Sequence, residues 1–122
     1  MTTDFDLWLA NQLADSGAFT LFVVPIRMDG DRLVPLKSSY VHLTDGAVTW
    51  RETTGRLDAA GAWDGAAFFV GLGEGGGPLP DLAAALTLAQ VEAEVKRDPL
   101  VLNRGRFFDA EGGQVRIDEV AG

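Results

Sequence analysis

The stretch FTLFVVPIRMDGDRLVPLKSSYVHLTDGAVTWRET, residues 19–53, decides the fold. Its opening, FTLFVVPIR, is apolar at both alternating positions, which suits a strand covered on both faces. Asp29-Gly30 supplies turn chemistry and RLVPL, residues 32–36, returns. SYVHL, residues 39–43, alternates, with Val41 and Leu43 on one face and Tyr40 and His42 on the other. Asp45-Gly46 reads as a second hairpin turn, and AVTWRET, residues 47–53, as a further alternating strand. Successive hairpins predict a meander of antiparallel strands. Pro25 lacks an amide donor, which places it at a sheet edge or a bulge.

On the N-terminal side, DFDLWLANQLAD, residues 4–15, carries Phe5, Trp8, Leu9 and Leu13 at helical spacing. Thr3 followed by Asp6 resembles a capping box, and Ser16-Gly17 supplies the stop. On the C-terminal side, residues 54–65 read as a loop with one helical turn at 57–60, and AAFFV, residues 66–70, as a short buried strand. A glycine run leads to the longest helix, about 79–97, bounded by Pro78 and Pro80 before it and by Lys96, Arg97 and Pro99 at its end. The tail from residue 99 reads as strand, a turn at Asn103-Arg104-Gly105, strand RFFD, a turn at Glu111-Gly112-Gly113 and strand QVRIDEV. The expected architecture is a single α+β domain spanning residues 1–122. A curved antiparallel sheet of hairpins carries the N-terminal helix and the longer helix on one face.

The chain has 18 acidic and 10 basic side chains, a net charge of −8, one His and no Cys. The acids are spread, with 6, 8 and 4 in residues 1–50, 51–98 and 99–122. Such a balance repels nucleic acid and anionic membranes, because phosphate binding needs clustered cations. The one cationic cluster, Lys96, Arg97, Arg104 and Arg106, reads as two helix-end charges and two solvated turn arginines. The lack of Cys excludes disulfides and thiolate zinc sites, and a lone His excludes His-rich metal clusters. No cofactor is implied. The N-terminal MTTDFDLWLA carries acids where a signal peptide carries cations, so the expected location is cytoplasmic.

Three features bear on function. Gly71-Leu72-Gly73-Glu74-Gly75-Gly76 matches the phosphate-loop spacing G-x-G-x-x-G between a strand and a helix. Against it stand the antiparallel surroundings, Glu74 in the cradle, and Pro78 and Pro80 where amide donors are needed. The run therefore reads as a connector. His42 beside Tyr40 could line a pocket together with Gly71, Gly73 and Gly75, but no third catalytic partner is visible in sequence. Finally, the long helix has two apolar stripes, Leu82-Leu86-Ala89-Ala93 and Ala84-Leu88-Val91-Val95. A helix apolar on two sides must bury both, and the second stripe is the expected interface. The sequence thus reads as a small non-enzymatic module that contacts a protein partner or a second copy of itself. The alternative is a small-ligand domain with its pocket at Tyr40, His42 and the Gly71–Gly77 loop.

Overall fold

A computed structural model describes residues 2–30, 32–44, 48–59 and 61–115. Among them the chain runs α1 (Asp4–Ser16), β1 (Phe19–Asp29), β2 (Arg32–Pro35), β3 (Ser39–Leu43), α2 (Trp50–Asp58), β4 (Gly65–Gly71), α3 (Asp81–Arg97), a 3-10 helix (Pro99–Arg104), β5 (Arg106–Asp109) and β6 (Gln114–Val115). The strands form one antiparallel sheet in the order β2-β1-β4-β5-β6, with β3 also paired to β1. The fold is α+β, as the hairpin pattern implies.

The register explains Pro25. β3 pairs with residues 19–23 of β1 and β2 with residues 26–29, so the two lie end to end along one edge of β1. Pro25 falls at their junction, where its carbonyl accepts the Leu36 amide at 2.8 Å. Its missing donor therefore faces a gap in the ladder instead of a partner strand. β1 is internal, and the expected meander is corrected: β3 returns to β1 rather than to β2.

The helices cover both faces. On one, Phe5 and Leu9 of α1 and Trp50 and Leu57 of α2 pack on Leu21, Val23, Ala66, Phe68 and Phe108. On the other, Val95 of α3 with Val101 and Leu102 of the 3-10 helix packs on Val24, Ile26, Ala67 and Phe107. The expectation of helices on a single face is thereby corrected. β1 is buried from Phe19 to Ile26 on both sides, and each large apolar side chain there contributes about 1.5–3 kcal/mol by leaving water. One layer of helix could cover only half of it. The ring of Phe5 is the hub of the first core, with centroids 4.8 Å from Phe68, 5.0 Å from Trp50 and 5.4 Å from Phe108.

Two local readings change. Residues 50–58 form α2, not a strand. Thr49 accepts the Glu52 amide at 3.1 Å as N-cap, and Trp50, Thr53 and Leu57 share the buried face. Residues 99–102 wind into the 3-10 helix because the Asp98 carboxylate caps the Leu100 amide at 3.1 Å. The Asp45-Gly46 turn and residues 116–120 of the last strand lie outside the described residues. The Thr3–Asp6 capping box forms on both sides, and Gly17 ends α1 at φ 72°.

Candidate functional site

His42 projects from β3 onto the α3 side of the sheet, because β3 is in register with β1 at Thr20↔His42 and Phe22↔Tyr40. Its Nδ1 lies 2.8 Å from Thr20 Oγ1 and its Nε2 lies 2.7 Å from Asp81 Oδ1. The Leu79 amide donates to the same Thr20 oxygen at 2.8 Å. A carboxylate only accepts, so Nε2 carries the proton that goes to Asp81. With the imidazole neutral and its proton on Nε2, Nδ1 accepts from the Thr20 hydroxyl, whose oxygen accepts from Leu79. The result is a directed chain, Thr20 to His42 to Asp81, joining β1, β3 and the first turn of α3.

The order carboxylate, imidazole, hydroxyl is that of a nucleophile relay. Here it is a clamp. Thr20 is 0% exposed, and its oxygen is occupied by the Leu79 amide. An attacking hydroxyl needs a free approach to its substrate. Asp81 stands 39 residues from His42, so sequence spacing could not reveal it. Thr49 and Arg51, within the segment 47–53 read from sequence as a strand, belong instead to the start of α2. The Tyr40 ring packs in tilted geometry against His42, with centroids 5.4 Å apart, and against Phe22 at 6.3 Å.

The glycine run closes on itself. Gly73 N–H donates to Gly77 O at 2.8 Å and Gly76 N–H to Gly73 O at 3.0 Å. Two amides that a phosphate would need are thus consumed internally. Gly71 permits close packing: a Cβ there would lie 2.6 Å from the Phe22 ring and 2.7 Å from Leu79. Gly73 is hemmed in by the Pro78 carbonyl at 2.9 Å, whereas Gly75 faces open space at φ 81°. Tyr40, His42 and Gly71 do come together around the start of α3, but as a packed corner. The described cavities are lined by other residues.

The two stripes of α3 have different fates. Ala84 and Val95 are buried, and Leu88 and Val91 are half-buried, with Val91 and Val95 in the second core. The stripe singled out from sequence as an interface is therefore the face that meets the sheet, since β1 needs a cover on that side. The other stripe is left uncovered: Leu82 is 75% exposed and Leu86 61%, and Ala85, Ala89 and Ala93 beside them are exposed.

Among the described residues no group of His, Asp and Glu side chains could hold a metal ion, and no helix is long and apolar enough to cross a membrane. The titration of the Asp6 carboxyl is shifted by its surroundings. Partial burial raises it, but the Thr3 and Trp50 amides and the Thr3 hydroxyl outweigh burial and hold it below its usual 3.8. Comparison with protein-family models, with curated proteins and with solved structures finds no match for this chain.

Proposed function

We propose that the chain is a non-catalytic interaction module that pairs with a second copy of itself through the outer face of α3. The observation that carries this reading is the exposure of Leu82 and Leu86, one turn apart on a helix whose opposite face is already committed to the sheet. The stripe has large residues at its N-terminal half and small ones, Ala89 and Ala93, at its C-terminal half. An antiparallel two-fold sets Leu82 over Ala93 and Leu86 over Ala89 of the other copy, knob against hole. In that arrangement Lys96 of each copy lies within a turn of Asp81 of the other, whose second carboxylate oxygen is not engaged by His42.

The magnitude sets the kind of dimer. The contact is small, four leucines set against four alanines, and the core of each copy is complete without it. The pair is therefore concentration-dependent and each copy folds by itself. Light scattering after size exclusion over a range of loading concentrations tests this. The wild type is expected to move from monomer toward dimer mass, while Leu82→Glu with Leu86→Glu stays monomeric with unchanged circular dichroism. A wild type that remains monomeric at millimolar concentration overturns the reading, as does a variant that dimerises equally well.

A further inference from the structure

A cavity of about 280 Å³ lies where α1 meets the β4–β5 edge. It is lined by Trp8 and Gln12 of α1, Phe68 and Val70 of β4, and Arg104 and Arg106 at the entry to β5. Pairing of β5 with β4 ends at Phe68↔Arg106. Pro25 faces β2 through its carbonyl, so alternation turns Val24, Phe22 and Thr20 toward β4, and their partners Ala67, Phe69 and Gly71 back toward β1. Val70 accordingly directs its amide and carbonyl away from β1, to the side on which β5 has stopped. No described group pairs with them. Val70 is itself exposed.

Backbone groups on an unfinished edge recognise an extended chain. Arg104 and Arg106 line the cavity next to that edge, and a guanidinium recognises a carboxylate. Arg104 is mostly exposed, and its described ion pair, to Glu94, is a long 4.0 Å, which leaves its donors free to turn. We infer that the cavity binds an extended peptide carrying a carboxylate at its C-terminal end, laid along Val70 as a short added strand, with the acid held by Arg104 and Arg106 and the neighbouring side chain against Trp8. The site does not involve Leu82 or Leu86 of α3.

The test is a titration of the 15N-labelled protein, followed by amide and arginine side-chain resonances. The probe is an acetylated Val-Thr-Val-Thr-Glu peptide with a free C-terminus. Its amidated glutamine counterpart and sodium acetate are the controls. Saturable shifts are expected at the Val70 amide and at the Arg104 and Arg106 Nε groups. Affinity should fall about tenfold or more both for the amidated peptide and for Arg104→Gln with Arg106→Gln. That variant should keep the wild-type spectrum elsewhere and the wild-type mass. Three results overturn the inference. One is no saturation by the acidic peptide, another is equal binding by the variant, and the third is acetate alone shifting the Val70 amide as the peptide does, which marks a bare anion site.

Discussion

The Asp6 carboxylate joins two helix starts that are far apart in sequence: its Oδ1 accepts the Trp50 amide at 2.8 Å, while its Oδ2 accepts the Thr3 amide at 3.1 Å. One side chain thus completes the N-cap of α1 and ties down the first residue of α2. Both helix starts meet beside the Phe5 hub, so this polar contact fixes how the two helices share the first core.

Replacing Asp6 by Ala is expected to destabilise the fold by roughly 1–3 kcal/mol, since it removes a cap and orphans the Trp50 amide. The effect depends on pH. The carboxyl is held below its ordinary 3.8, so its contribution is fully present above that pH. It is lost as acid protonates the folded protein below it. Urea unfolding of wild type and Asp6→Ala at neutral pH and near pH 2 checks this. The gap between them should be wide at neutral pH and narrow in acid.

The Thr20–His42–Asp81 clamp predicts an asymmetric mutation series. Thr20→Val preserves shape but leaves the Leu79 amide and His42 Nδ1 without their partner in a buried corner, at a cost of about 1–3 kcal/mol. Asp81→Asn changes only the exposed end, where side-chain exposure is 82%, and should cost well under about 1 kcal/mol. Denaturant midpoints measure both.

Gly105 is where the chain enters β5 against β4. A Cβ there would collide with the Phe68 carbonyl and come within 2.9 Å of the Phe69 ring. Gly105→Ala is expected to destabilise by roughly 1–3 kcal/mol through overpacking. Hydrogen exchange should show the loss at the Ala66–Phe68 amides first. Gly75→Ala, in open space but at φ 81°, should cost less, through backbone strain alone.

How much of this was legible in the sequence follows from the reach of each signal. The cap at Thr3 and the two-sided burial of β1 are local, and both can be read directly. The start of α2 was also written, as Thr49 with Glu52 three residues on, but the alternation in AVTWRET masks it when the period is taken first. The 3-10 helix replaces a strand at Leu100–Leu102 because Asp98 and Pro99 organise the turn before the apolar run begins. β3 joining β1 beside β2, and Asp81 reaching His42, are long-range pairings that no spacing encodes. The two stripes of α3 were visible, but which one meets the sheet depends on the direction of approach.

The central claim is that α3 pairs with its own copy, antiparallel, through Leu82 and Leu86. The chain has no Cys, so Arg97→Cys places a single spin label at the end of the helix, outside the Leu–Ala contact. With a rise of about 1.5 Å per residue and helices about 10 Å apart, an antiparallel pair puts the two labels roughly 30 Å apart, and a parallel pair roughly 10–15 Å apart. Dipolar spectroscopy at millimolar protein is predicted to give the longer distance, and to lose it when Leu82 and Leu86 are changed to Glu. A short distance, or no coupling between molecules at all, would contradict the account.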